Sequence, residues 1–350
     1  MRNTTSKGNT KTTRARRILA LALTLLVALG TLAGCMINDE EEEDGSQQEA
    51  TVSQVIKIAA LNGPTGMGMA PLVSETDKYE ITVFQAPDEV LAKVIKGEVD
   101  VAAVPSNVAS VLYNKTEGGV QATAIQTGGT LYLMENPAEG EEAIVGETTA
   151  DLAKLAGKTI YGSGQGGIPE YVLRQMLTNA GLDPDKDVTI QWLSSHSDAA
   201  SSMITNPGSV GLIPEPFRTT ISAKNPALVT TFDLNQLWNE AYNDDLPMGV
   251  LVAQKSFMEE RFGDWEILKA DMAEAAAWIN ENTAEAAPVI VEAGIGNDAA
   301  IIETAIPNCN IVFITGAEMK AALENLYNIL AEVQPKAIGG KLPDEGFYLQ

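Results

Sequence analysis

The stretch Gly162-Ser163-Gly164-Gln165-Gly166-Gly167, leading into Pro169, is the part of this sequence best suited to holding a small molecule. Glycines let a backbone approach a ligand closely, and a helix starting near Pro169 would aim free amides and positive partial charge at it. A sulfonate, carboxylate or carbonyl oxygen suits such a loop. A nucleotide phosphate does not, because no Gly-Lys-Ser/Thr follows. The candidate contacts are Gly164, Gln165, Gly166 and Gly167; the alternative is a tight strand-to-helix turn. Asn62, Gly63, Thr65 and Gly66 have the same two readings. Ser106 and Asn107 would present a hydroxyl and an amide to a ligand, cap the next helix, or both. Thr127 and Gly128 either bring backbone to the ligand or permit a change of chain direction. Glu215 lies between two prolines that stiffen the chain; its carboxylate would recognise an amine or amide, or pair with Arg218 or Arg174. Tyr132, Trp192 and Phe217 are candidates to stack on a ring, although aromatics at strand ends are more often packing.

Other chemistry is sparse. His196 is the only histidine, which leaves no histidine cluster for a metal. It stands in the polar run Ser194-Ser195-His196-Ser197 without a Gly-x-Ser-x-Gly partner, so it is expected to be exposed rather than a catalytic base. No cofactor is called for. Of the 23 basic residues, six precede residue 35, where there is no acidic residue. The remainder holds 17 basic against 47 acidic side chains, a net of −30. Phosphate backbones are held largely by Lys and Arg, so nucleic-acid binding is excluded.

The elements that must position these residues alternate. Val55–Leu61 reads as a strand, 87–96 as a helix stopped by Gly97, Val99–Val104 as a buried strand, and a helix follows Ser106. A second series has strands at 158–161, 188–193, 210–214 and 228–232, with a helix over 169–180. That is the mark of open α/β sheets, and 350 residues are enough for two such units. The last third reads as helices over 265–279, 284–292, 299–306 and 317–333. Thr315 with Glu318 reads as a capping box for the last of these. Cys309 is expected to be a small buried side chain.

At the N-terminus, basic residues run through Arg17, an apolar run spans Ile18–Leu29, and small residues follow, as in an export signal. Leu32-Ala33-Gly34-Cys35 resembles the lipobox of bacterial lipoproteins, which implies a signal peptide over 1–34 and lipidation of Cys35. The acidic run after Cys35 is expected to be a solvated tether over 35–54.

Taken together, the chain resembles solute-binding lipoproteins of ABC importers, in the branch that binds aliphatic sulfonates, taurine, nitrate and thiamine-precursor pyrimidines. The resemblance rests on Ala59–Gly68, Gly97–Asn107, Gly164–Tyr171 and Ile213–Phe217. It implies the type II periplasmic binding protein fold: two α/β lobes joined by two crossing strands, with a ligand cleft between them. Lobe 1 would be 55–133 and 249–350, and lobe 2 would be 134–248, with crossings near Thr130–Leu133 and Met248–Val252. The expected site lies at the carboxyl ends of the strands. The implied partners are a small organic solute, an ABC permease with its ATPase, and the outer face of the cell membrane through the Cys35 lipid. The chain is expected to be a monomer and not an enzyme. The alternatives are an enzyme on the same fold and a sensory lipoprotein without a transporter.

Overall fold

The computed structural model describes residues 51–350. The expected signal peptide, Cys35 and most of the expected tether lie outside the described residues. The end of the tether departs from expectation, because Ser53 is docked: its amide and hydroxyl donate to the Asp264 carboxylate at 2.7 and 2.8 Å. Gln54 is fixed as well, its carbonyl accepting from Arg261.

Among the described residues, eleven strands form two sheets. The first contains β1 (Ile56–Leu61), β2 (Tyr79–Phe84), β3 (Val101–Pro105), β4 (Val120–Thr127), β10 (Gly249–Gln254) and β11 (Ile311–Ile314). The second contains β5 (Leu131–Glu135), β6 (Thr159–Ser163), β7 (Thr189–Leu193), β8 (Val210–Pro214) and β9 (Val229–Asp233). Their orders are β11-β4-β10-β3-β1-β2 and β7-β6-β8-β5-β9. In each, two strands run parallel to a central one: β2 and β3 beside β1, β7 and β8 beside β6. Each also carries one antiparallel strand wedged in beyond them. β10 enters between β3 and β4, and β5 between β8 and β9. Both inserted strands follow a crossing of the chain from the other sheet.

The first crossing is the short segment 128–130, since Leu131–Glu135 already pair with β8 and β9. Leu131–Leu133, assigned above to the first lobe, therefore hydrogen-bond in the second sheet. The return crossing is 243–248, ending where Gly249 pairs with Pro105 and Thr127.

Strands such as Ile56–Leu61 and Val101–Pro105 are buried along almost their whole length, as expected when helices cover both faces of a sheet. On the first sheet the covering helices include α1 (Pro64–Met67), α2 (Pro87–Ile95) and α3 (Ser106–Lys115). In α2, Glu89 accepts from the free amides of Gln85 and Ala86, and Gly97 ends the helix with φ +66°. The second sheet carries α4 (Ile168–Asn179), α5 (His196–Thr205), α6 (Phe217–Lys224) and α7 (Leu234–Tyr242). The C-terminal third returns to the first sheet as α8 (Lys255–Glu260), α9 (Phe262–Glu281), α10 (Thr283–Glu292), α11 (Ala299–Ala305) and α12 (Gly316–Val333). Thr315 precedes α12, but its hydroxyl makes no capping bond, so the expected box does not form. The largest apolar cluster is continuous, from Val104 and Val250 through Leu246 to Leu133 and Val210.

Candidate functional site

The carboxyl ends of the parallel strands bring most of the candidate residues to the ends of the two sheets nearest the crossings. In the first sheet the loop after β1 leaves Asn62 exposed, its amide donating to Gln85 Oε1 at 3.0 Å. Gly63 has φ +110° and open space around it, a backbone that only glycine adopts readily. Thr65 packs its methyl toward Gly249, where a Cβ would sit 2.5 Å away. Gly66 has a different task, because a Cβ there would lie 2.4 Å from the Leu61 carbonyl oxygen. Thr127 flanks Gly249 on the same face and is buried, and its hydroxyl has no partner among the described residues. Beside it, the register of β4 slips against both β10 and β11. Gln126 sits in that irregularity, almost fully buried with both carboxamide atoms unpartnered. Bulges of this kind re-aim side chains near functional sites.

Ser106 and Asn107 do not cap α3 with their side chains. The Ser106 hydroxyl donates to the Pro247 carbonyl at 2.8 Å, and the Asn107 amide donates to the Ala337 carbonyl at 3.4 Å. These bonds tie the return crossing and the C-terminal segment to the first sheet. Gly128 donates its amide to the Asn310 carbonyl at 2.9 Å, holding the first crossing against the start of β11.

In the second sheet the loop Gly164–Gly167 follows β6, and Gly164, Gln165 and Gly166 are exposed. Gly164 and Gly166 have φ +84° and +79°. The helix start is less open to an anion than the sequence suggests. The Gly166 amide already donates to the Glu170 carboxylate at 2.8 Å, and Pro169 has no amide hydrogen. Glu170 also places negative charge in the first turn, where it balances the helix dipole.

One feature at this edge is not evident in the sequence. His196 is the first residue of α5, and it is half-buried rather than exposed. Its Nδ1 lies 2.5 Å from the Ser163 hydroxyl, and its ring packs on Phe217 with centroids 5.2 Å apart. Burial lowers its pKa below the ordinary histidine value, favouring the neutral ring. The nearby Asp198 accepts from the Ser194 and Ser195 hydroxyls, so it is not the orienting acid of a serine–histidine pair.

A second feature, one of the two pairings expected from the sequence, is the Glu215–Arg218 pair. Glu215, in a cis peptide with Pro216, is buried and accepts from Arg218 Nε at 2.6 Å. It also accepts from the amide and hydroxyl of Thr219 at 3.2 and 3.1 Å. Of the two arginines considered, Arg218 is its partner; Arg174 pairs with Asp185. The Arg218 guanidinium lies 4.4 Å from the centre of the Tyr132 ring, which therefore stacks on a cation of its own chain. The Tyr132 hydroxyl reaches the Asn308 carbonyl at 3.5 Å, a weak contact between the two halves. Burial raises the Tyr132 pKa, keeping the phenol protonated. Trp192 is half-buried and covers Gly162, where a Cβ would lie 2.8 Å from the indole. Cys309 is buried as expected, and burial raises its thiol pKa.

The arrangement offers hydroxyls, an amide, neutral imidazole and aromatic faces between two sheets, with its nearest arginine neutralised. Among the described residues no cluster of His, Cys, Asp and Glu could hold a metal ion. The family model described as the NMT1-like family matches residues 72–293. No curated protein matches the chain by sequence. Among solved structures, it is similar to an ABC transporter protein from Parabacteroides distasonis, with 23% identity and a TM-score of 0.70 over 85% of this chain and 99% of that one. The periplasmic aliphatic sulphonate binding protein of Escherichia coli aligns with 15% identity and a TM-score of 0.67, over 85% of this chain and 92% of that one. The periplasmic nitrate-binding protein of Synechocystis gives 13% and 0.54, over 74% and 70%. At these identities the likeness is one of fold, that of the type II periplasmic binding proteins.

Proposed function

This chain belongs to the NMT1-like family, and from that premise we propose that it is the solute-binding component of an ABC importer. The carrying observation is the matched strand order of the two sheets, each completed by a strand that follows a crossing from the other. Such a frame lets two lobes, 51–127 with 249–350 and 131–242, rotate about 128–130 and 243–248 with little change inside either. The solute lies between the loops after β1 and β4 and those after β6 and β7. Its proposed contacts are Asn62, Gly63, Thr65, Gln126, Thr127, Gly164–Gly167, and Ser163 with His196. Gly66, Ser106, Asn107, Gly128 and Glu215 serve instead to hold the surrounding backbone.

The chemistry is reversible binding, with solute contacts used to favour the closed arrangement. A small organic solute, either sulfonate-like or a neutral heterocycle, suits the donors present. Export is supported by the N-terminal motif and by the periplasmic neighbours, and anchoring through lipid on Cys35 by Leu32-Ala33-Gly34-Cys35 alone. The test is a thermal-shift screen of sulfonates, pyrimidines, vitamins and amino-acid-like solutes, followed by solution scattering. A true solute at 100 times its Kd adds about 2.7 kcal/mol of stability and reduces the radius of gyration. Failure of every solute class to stabilise the protein, or saturation without compaction, would overturn the proposal.

A further inference from the structure

We infer that the hollow behind the two crossings is a second small-molecule site, for a short apolar cation such as an alkylammonium, and that its occupant favours closure of the cleft. The hollow has a volume of about 200 Å³. Its walls are mainly apolar, from Ile125, Leu246, Pro247, Val312, Ile314 and Ala322, with Asn235 and Asn310 also lining it. An apolar cavity of about 150 Å³ already accepts a molecule the size of benzene, so the space suits a chain of several carbons.

Three carboxylates, Asp244, Asp245 and Glu318, stand at its edge, and among the described residues no lysine or arginine lines it. Asp244 and Asp245 each accept an amide hydrogen bond at 3.1 Å, from Asn325 and Asn239. Among the described residues, none of the three is in an ion pair. An apolar interior beneath uncompensated carboxylates complements a molecule with a hydrocarbon body and one positive end.

The place of the hollow gives it leverage. Gly128 of the first crossing and residues 244–247 of the second both line it. In the first sheet, β4 and β10 lie next to these crossings, with β11 on one side and β3, β1 and β2 on the other. The hollow lies on the β11 side, whereas the loop after β1 belongs to the opposite side. The proposed coupling is that a rotation about the crossings that opens the cleft narrows the space on their β11 side. An occupant there resists that narrowing and shifts the population toward the closed form. This coupling rests on the lobe closure proposed above; binding in the hollow does not. By linkage, occupant and solute tighten one another by the same factor.

The test is calorimetric titration of the full chain with hexylammonium and with 1-hexanol as its neutral counterpart, with scattering in parallel. Hexylammonium should bind saturably and more tightly than hexanol, and should lower the radius of gyration in the absence of solute. Glu318→Gln, a change at an exposed position, should weaken hexylammonium about two- to fivefold and leave hexanol unchanged. Ala322→Phe should fill the hollow and abolish binding of both probes. No saturable binding, or binding that survives Ala322→Phe in a normally melting protein, would overturn the site. Equal affinity for the two probes would overturn the cationic class, and binding without compaction would overturn the coupling. A failed solute screen alongside hexylammonium binding would instead count against the importer function alone.

Discussion

Replacing Glu215 with alanine should show whether this carboxylate holds the protein together or serves the solute. The substitution leaves the Arg218 guanidinium without the carboxylate it meets at 2.6 and 2.5 Å. It also removes the acceptor for the Thr219 amide and hydroxyl. Removing one partner of a buried ion pair costs about 3–5 kcal/mol. The Glu215 side chain is wholly buried but Arg218 is 18% exposed, which puts the expected loss near the lower end of that range. The assay is urea unfolding at pH 7 of wild type, Glu215→Ala, Arg218→Ala and the double variant, with the slope checked for constancy. Each single variant leaves an orphaned group that the double variant does not, so the double should be less damaged than the sum by about 1–3 kcal/mol. Losses that add within about 0.5 kcal/mol would refute the pairing with Arg218 as the source of the loss. A small stability loss with abolished solute binding would return Glu215 to the list of contacts.

His196 is the only histidine, and its folded-state pKa is lowered by burial, so the unfolded chain takes up the proton first as pH falls. Stability should therefore be full above about pH 6.5 and decline toward pH 5, and His196→Asn should flatten that decline; an unaltered urea-midpoint profile would refute it. Gly66→Ala should lose about 1–3 kcal/mol through its clash with the Leu61 carbonyl, read as a lower melting temperature than wild type. Gly166→Ala meets open space and should cost only about 1–2 kcal/mol of backbone strain. Gly166→Val should in addition weaken the solute roughly tenfold, and a valine variant that binds like the alanine one would show the loop to be only a turn. Cys35→Ser should abolish incorporation of labelled lipid; processing and membrane retention like wild type would contradict the lipobox.

The alternation of strands and helices was legible wherever a strand is an unbroken apolar run, as in Ile56–Leu61 and Val210–Pro214. It was not legible in β4, where Gln121, Thr123 and Gln126 interrupt the apolar pattern. Those polar residues are buried or half-buried because β4 lies between two other strands, a fact of sheet order rather than of local composition. The capping box failed for a related reason: Thr315 and Glu318 have the right spacing, but the Thr315 hydroxyl makes no bond to the helix amides. At the site, the glycine turns and the Glu215 pairing options were readable from neighbours in the chain. The Ser163–His196 contact was not, because it joins the ends of β6 and of the β7–α5 connection. A run of serines around a histidine looks solvated until Phe217 is brought over the ring.

The wedged strands also dictate an order of assembly. The five strands of the second sheet lie within residues 131–233, so that sheet can close as soon as this stretch of chain is free to fold. The first sheet cannot, since β3 and β4 have no shared neighbour until β10 arrives after the whole second sheet has passed. Joining β10 to β3 closes a very long loop, a slow and entropically costly event if the intervening chain is slack. A previously folded second half shortens that search by holding the two crossings side by side. The half made first is thus the last to be completed, and until then its exposed strand edges are where aggregation or proteolysis of the newborn chain would begin.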